Sequence, residues 1–136
     1  MNYRETIKEL KKNNINNCLI NAGGQVYALG NKFASPWKIA IKDPRKSSAL
    51  ETLELLNQSA STSGGYEQFF LKNGKRYCHI INPKTGYPVD SGIFSVTVID
   101  NSALTADALS TAAFILGKEG VEMLMKKFPE TEFFTN

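Results

Sequence analysis

The sequence contains few of the residues that carry imidazole and thiol chemistry. It has one histidine, His79, and two cysteines, Cys18 and Cys78, which are too few to indicate a redox compartment. No apolar run reaches the roughly 18 residues that a membrane-spanning helix needs. The first residues also lack the apolar core of a signal peptide, so we expect no cell-envelope targeting signal in the sequence as given.

Charge and composition are those of an ordinary globular protein. Hydrophobic residues make up 42% and charged residues 21% of the 136 positions, and one domain with its own core accounts for that length. We therefore expect a single domain over residues 1–136. The net charge of +3 is spread along the chain, which argues against a nucleic-acid surface and weakly favours an anionic ligand.

Segments that alternate with period two lie between helical segments at the two ends of the chain. The sequence predicts a helix over 3–13, hairpins over 18–31 and 66–81 with turns at Gly23–Gly24 and Asn73–Gly74, strands over 37–44 and 94–100, helices over 102–116 and 119–128, and a possible last strand over 131–134. The run 50–62 also alternates, although a short helix fits it as well. Hairpins followed by helices favour an α+β fold, in which helices pack on an antiparallel sheet.

The predicted helix over 102–116 places a carboxylate and a hydroxyl on one face. Asp107 and Thr111 are four residues apart in a helix that is otherwise apolar almost all round. In one interpretation they are structural, with Asp107 paired to a lysine and Thr111 bonded back to the main chain. In the other they form a hard-cation site, because carboxylate and hydroxyl oxygens suit Mg²⁺ or Ca²⁺.

The glycine turns and the single histidine also allow two interpretations each. Gly23 and Gly24 follow a strand, so their amides could approach a phosphate or a flavin, but a plain hairpin turn has the same sequence. The segment 63–65, Ser-Gly-Gly, carries the same ambiguity. His79 is either held at a strand end by a backbone carbonyl or belongs to a site with the loop that follows it.

Six segments together resemble a known family. They are "INAGGQVYALG", "PWKIAIKDPR", "STSGGYEQFF", "GKRYCHIINPKTGYP", "SVTVID" and "TADALSTAAFILG". Their order, above all H-I-x-x-P-x-T-G-x-P followed by A-D-A-L-S-T, closely resembles the carboxyl-terminal half of the FAD:protein FMN transferases, the ApbE-like family once called thiamine biosynthesis lipoproteins. The resemblance extends from about residue 3 to residue 128 and implies part of a T-fold-like architecture.

The resemblance implies an activity and the residues that carry it. The family is understood to cleave the pyrophosphate of FAD, to transfer FMN to a threonine hydroxyl of a partner protein and to release AMP. Asp107 and Thr111 match the family's ligands for Mg²⁺, a cation that such a transfer uses to neutralise the pyrophosphate. His79 matches a histidine near the reacting phosphate, where it would accept the proton of the attacking hydroxyl as a general base. The residues implied to shape the flavin pocket are Gly23, Gly24, Ser63, Gly64, Thr85 and Gly86.

The sequence departs from the family pattern in ways that keep alternatives open. Gln25 and Asn82 stand where the family usually has aspartate, and Gly65 stands where it often has aspartate or another polar residue. No segment resembles the family's amino-terminal "G-G-x-A-K-G", so we expect either an excised piece or a naturally short relative. The alternatives are a flavin- or nucleotide-binding module without catalysis, and an FAD pyrophosphatase in which water replaces the acceptor hydroxyl.

The resemblance also bears on partners and location. The expected partners are FAD and a flavin-acceptor protein with a target threonine, without nucleic acid and without membrane contact by this chain. Longer family members are placed in the cell envelope or the cytoplasm of bacteria. The location of this chain is left open.

Overall fold

The fold is built in three layers, which a computed structural model describes for residues 2–42, 49–66 and 68–136. The elements are α1 (Tyr3–Lys12), β1 (Cys18–Ala22), β2 (Gln25–Leu29), β3 (Trp37–Lys42), β4 (Ala49–Leu55), β5 (Gln58–Gly64), β6 (Phe69–Lys72), β7 (Lys75–Cys78), β8 (Ser95–Asp100), α2 (Ala103–Lys127) and β9 (Glu132–Thr135). In these ranges no helix combines the length and apolarity that crossing a membrane requires.

A five-stranded sheet forms the middle layer. Its strand order is β1-β2-β5-β8-β9, and each neighbouring pair is antiparallel. The two helices cover one face of this sheet, and the β3–β4 hairpin covers the other. The α+β class with antiparallel strands and packed helices is therefore confirmed.

Period-two alternation directs the strand side chains into two separate cores. On β8, Val96 and Val98 pack toward α2, whereas Ile99 packs toward β3 and β4. On β5, Ala60 joins the β3–β4 side, so the alternating Ser59, Ser61 and Ser63 face the helices. The sheet thus presents a polar stripe to α2 in the middle of an otherwise apolar contact.

The helix α2 covers both predicted C-terminal helices and has a break between them. Gly117 adopts φ 74°, which is non-helical and lies in the region that glycine alone enters easily. A Cβ at this position would lie 3.3 Å from the Ser91 carbonyl oxygen. The predicted separation into two helical segments is therefore correct in position, although the break between them is only one residue long.

The run 50–62 forms strands, and it contains a boundary that the alternation did not predict. It divides into β4 and β5, which belong to different sheets. The chain turns at Leu56 and Asn57, and Asn57 adopts φ 54°, a conformation that asparagine tolerates better than most residues. In the predicted strand 37–44, β3 ends at Lys42, and residues 43 and 44 lie outside the described residues.

The predicted hairpin over 66–81, which forms a two-stranded sheet of its own, and the possible last strand are also present. The hairpin at Asn73–Gly74 has strands β6 and β7, which are shorter than the run 66–81, so His79 lies one residue beyond β7. The possible last strand is confirmed as β9, which pairs with β8.

Truncation of two adjacent leucines tests the packing of the β3–β4 layer. Leu55 is fully buried at 0% exposure, so Leu55→Ala should lower the free energy of unfolding by about 2–5 kcal/mol. Leu56 is 43% exposed, and Leu56→Ala is the matched control, with an expected loss below about 1 kcal/mol. Urea unfolding measures both losses. Equal losses would mean that this hairpin does not pack on the sheet as described.

Candidate functional site

A row of hydrogen-bonded polar side chains joins β5 to α2. Ser61 Oγ donates to Asp107 Oδ1 at 3.3 Å. Ser63 Oγ lies 2.9 Å from Ser110 Oγ and 3.2 Å from Thr111 Oγ1. Ser110 Oγ donates to Ser61 Oγ at 3.4 Å, and this bond connects the pair Ser61–Asp107 to the group of Ser63, Ser110 and Thr111. We call these five residues the polar row.

The polar row follows from two periodicities that meet at one interface. Ser61 and Ser63 are two residues apart on a strand, so they share a face. Asp107, Ser110 and Thr111 are at i, i+3 and i+4 on a helix, so they also share a face. Ser61, Ser63 and Ser110 are buried, whereas Asp107 is exposed. The row therefore leads from the core to a carboxylate that solvent can reach.

Both predicted metal-ligating residues belong to this row. Within residues 2–42, 49–66 and 68–136, Asp107 receives its side-chain hydrogen bond from Ser61 and not from a lysine, and Thr111 contacts Ser63. Across the part of the chain that the structure describes, no group of three or more histidine, cysteine, aspartate or glutamate side chains could hold a metal ion. A cation here would have one carboxylate, neutral hydroxyl oxygens and ligands from water or substrate, which is the hard-oxygen set that Mg²⁺ accepts.

A cleft of about 890 Å³ opens beside Asp107, between α1, β2 and the start of α2. The residues that line it are Asn2, Tyr3, Arg4, Ile7, Gln25, Tyr27, Asn101, Ser102, Ala103, Leu104 and Asp107. Ser102 caps α2, since its side chain accepts the Thr105 N–H at 3.2 Å. The cleft thus combines the positive end of a helix with one carboxylate.

Two buried tyrosines form one wall of this cleft. Tyr3 and Tyr27 have ring centroids 6.5 Å apart, and the Tyr3 hydroxyl donates to the Gln25 carbonyl oxygen at 2.9 Å. Burial raises the pKa of Tyr3, the negative charge of Asp107 raises it further, and a main-chain hydrogen bond at Ala22 acts in the opposite direction. Burial also raises the pKa of Tyr27. Both phenols therefore lose their protons at a higher pH than an ordinary tyrosine does, because the pKa of each is raised.

The predicted cofactor glycines at 23 and 24 form a hairpin turn. Ala22 pairs with Gln25, so Gly23 and Gly24 are the two central residues of the connection between β1 and β2. They adopt φ 59° and 89°, and a two-residue turn with both φ values positive requires residues that tolerate this region. The turn accounts for the glycines, and their contact with a flavin stays a prediction.

The remaining predicted cofactor residues lie at the far end of β5 and in the loop after His79. Ser63 is part of the polar row, and Gly64 ends β5, where a Cβ would lie 2.7 Å from the Tyr66 ring. Thr85 and Gly86 are exposed, and the Asn82 carbonyl oxygen accepts both of their N–H groups, at 3.2 and 2.8 Å. The loop is therefore held by its own hydrogen bonds, and its role toward a flavin stays a prediction.

His79 is exposed and is held by one main-chain carbonyl. The Gln68 carbonyl oxygen lies 3.0 Å from His79 Nδ1 and accepts the His79 N–H at 3.1 Å. When Nδ1 carries the proton, the lone pair of Nε2 is available to another group. Among the described residues, His79 lines neither the cleft beside Asp107 nor a second cleft, which lies next to Gly65 and β7. The catalytic role of His79 stays a prediction.

Several residues of the site were not predicted from the sequence. Ser61 and Ser110 complete the polar row, and the serines at every second position from 59 to 63 are the signal that could have indicated them. Tyr3 was missed, and Gln25 was noted only as a departure from the family pattern, because a cleft between α1, β2 and α2 depends on strand pairing that is distant in sequence. The second cleft, of about 500 Å³, lies between Gly65, β7 and residues 87–94.

Comparisons with known proteins agree on one family. A family model described as the ApbE family matches residues 3–135. The chain is 38% identical over 119 residues to the FAD:protein FMN transferase of Haemophilus influenzae, covering 85% of this chain and 34% of the relative. It is 35% identical over 121 residues to the enzyme of that name from Escherichia coli K12, covering 87% and 34%. The chain thus spans about a third of the length of these curated relatives.

Solved structures give the same result. A crystal structure of the ApbE protein from Thermotoga maritima matches with a TM-score of 0.86 and 37% identity, covering 98% of this chain and 44% of that one. The apo form of the flavinyl transferase ApbE from Pseudomonas stutzeri matches with a TM-score of 0.80 and 37% identity, covering 97% and 41%.

The raised pKa of Tyr3 predicts how its contribution to stability depends on pH. Below the ordinary tyrosine value of about 10, native and unfolded phenols are both protonated, and the contribution is fully present. It is lost as pH rises through the higher native value, because the unfolded chain releases the proton first. Tyr3→Phe should therefore be less stable by about 1 kcal/mol near pH 8, and this difference should shrink above about pH 10.

Urea unfolding between about pH 8 and about pH 11 measures this difference. Tyr87, which is 72% exposed, gives the control variant Tyr87→Phe, whose difference from the wild type should not change in the same way. A Tyr3→Phe difference that stays constant with pH would contradict the assigned environment.

Proposed function

Because the chain belongs to the ApbE family, we propose that it acts in the transfer of FMN from FAD to a threonine hydroxyl of an acceptor protein, with release of AMP. The names of the curated relatives support flavin transfer in general, and those relatives are longer proteins. The feature of this chain that carries the proposal is the polar row, which brings Asp107 and Thr111 to one interface.

We propose that Asp107 and Thr111 hold Mg²⁺. Their carboxylate and hydroxyl oxygens are the donors that this cation prefers, and Asp107 is exposed beside a cleft. When bound, Mg²⁺ supplies positive charge that neutralises the pyrophosphate of FAD. Ser61 and Ser63 orient the two ligands by hydrogen bonds, which limits the reorganisation that binding requires.

The chemical step breaks the phosphoanhydride bond of FAD and forms a phosphoester bond to the acceptor. The threonine hydroxyl oxygen of the acceptor attacks the phosphorus atom of the FMN half of FAD. The bond from this phosphorus to the bridging oxygen breaks, and AMP leaves with that oxygen. We propose that His79 Nε2 accepts the hydroxyl proton, while the Gln68 carbonyl oxygen holds the protonated Nδ1. Gly23, Gly24, Gly64, Thr85 and Gly86 are proposed to border the flavin.

Removal of the Asp107 charge tests the metal assignment. Asp107→Asn keeps the side-chain shape, and it should reduce FMN transfer by roughly 100-fold or more because the only carboxylate of the polar row is lost. The assay supplies FAD, Mg²⁺ and a purified acceptor protein of a related transferase, and it follows AMP release together with protein-bound flavin fluorescence.

Glu54→Gln is the matched control for Asp107→Asn, because Glu54 lies on the β3–β4 hairpin, on the other side of the sheet, in an ion pair with Lys38 at 3.4 Å. This variant should keep its activity. Full activity of Asp107→Asn at limiting Mg²⁺ would contradict the assignment. AMP release without labelled protein would favour the pyrophosphatase, and FAD binding without AMP release would favour the binding module.

Substitution of the histidine separates base catalysis from substrate binding. His79→Asn should lower the rate of transfer by roughly 10²–10⁴-fold and leave FAD affinity nearly unchanged, since a general base acts on the transition state. Single-turnover rates and FAD fluorescence titration measure the two quantities separately. Equal losses in both would identify His79 as a binding group.

A further inference from the structure

Gln25 connects the central sheet to the first turn of α2. It is the first residue of β2, directly after the turn at Gly23–Gly24. Its side-chain Nε2 donates to the Ala103 carbonyl oxygen and lies 3.4 Å from Ser59 Oγ. Its own carbonyl oxygen accepts the Tyr3 hydroxyl at 2.9 Å, so α1 also contacts this residue.

The position of Gln25 relates it to Asp107 in two ways. Gln25 is the direct partner of Ser61 in the β2–β5 register, and Ser61 donates to Asp107 Oδ1. In a regular α-helix the N–H of Asp107 points to the carbonyl of Ala103, four residues earlier. Gln25 and Ser61 are thus neighbours on one sheet face: one holds the peptide group a turn before Asp107, and the other holds its carboxylate.

The chemistry of this contact requires a hydrogen-bond donor at position 25. A main-chain carbonyl only accepts hydrogen bonds, so its partner must donate, and an ionised carboxylate has no N–H to give. The first turn of a helix is also the part that opens most easily, because its N–H groups lack intrahelical partners. A side-chain anchor from the sheet therefore restricts the turn on which Asp107 depends.

We propose that Gln25 is a positioning residue for Asp107, which it orients by anchoring the first turn of α2 to β2. The anchoring is a property of this chain by itself, and its consequence for Mg²⁺ rests on the proposed function. A residue that only supports the fold would affect global stability and leave the local order of this turn and the affinity for Mg²⁺ unchanged.

The test combines a local readout with a metal readout. Gln25→Met keeps the length of the side chain and removes its donor. Amide hydrogen exchange by NMR should show at least tenfold loss of protection at the hydrogen-bonded amides of residues 105–107 and no comparable loss over residues 112–116. Calorimetric titration with Mg²⁺ alone should show affinity lowered by roughly 10-fold or more, as for other groups that orient metal ligands.

Two further variants make the result specific. Thr62→Val is the matched control, because Thr62 bonds Thr97 at 2.8 Å on the opposite face of β5, and both readouts should stay at wild-type values. Gln25→Glu has the shape of glutamine without its N–H groups, and it should lose the same protection at pH 8. Retained protection in Gln25→Glu would show that packing, not the donated hydrogen bond, orders the turn, and would overturn the proposal.

The outcomes for the anchor and for the metal site are distinguishable. Unchanged exchange at the amides of residues 105–107 in Gln25→Met overturns the positioning role, whether or not Mg²⁺ binding changes. Lost protection with weakened Mg²⁺ binding supports both proposals. Lost protection in a protein whose wild type and Asp107→Ala variant equally fail to bind Mg²⁺ supports the anchor and overturns the metal assignment.

Discussion

The contact between α2 and β5 is the constraint on which the rest of the structure depends. Ser61, Ser63 and Ser110 are buried there, and a buried hydroxyl without a partner costs roughly 1–3 kcal/mol. Each of the three finds its partner across the interface or next to it. Sliding the helix along the sheet would break several of these bonds together, so the polar row fixes the helix in one register, which apolar packing alone specifies less sharply.

The register of α2 on the sheet matters both for folding and for the geometry of the site. The apolar part of the same interface, Val96 and Val98 with Ala113 and Phe114, supplies the burial that drives the helix onto the sheet. The polar part then determines where Asp107 and Thr111 lie. A site that depends on an element of the core is held more rigidly than one built on a loop, and the exposed loop carrying Thr85 and Gly86 is a contrast within the same chain.

Local signals in the sequence predicted the helices, strands and turns better than they predicted which of these elements are neighbours in space. The turn at Asn73–Gly74 and the break at Gly117 were predictable because glycine and asparagine act on the residues beside them. The division of 50–62 at Asn57 was not, because the alternation continues across it. Asp107 and Thr111 were identified from their spacing and from the resemblance, whereas Gln25 and Tyr3 reach the site through pairings of β2 with β5 and of α1 with the sheet, which no short pattern encodes.

The serines of β5 also have a consequence that concerns volume. Ser59, Ser61 and Ser63 put only small side chains between the strand and the helices, so their size limits how closely α2 can approach the sheet. Exchange of any of them for a branched or aromatic residue would move the helix outward, because a close-packed interior has no spare space. The distance between β5 and α2 at the site is therefore set by these small serines. Substitutions in β5 are restricted by side-chain size even where no hydrogen bond would be lost.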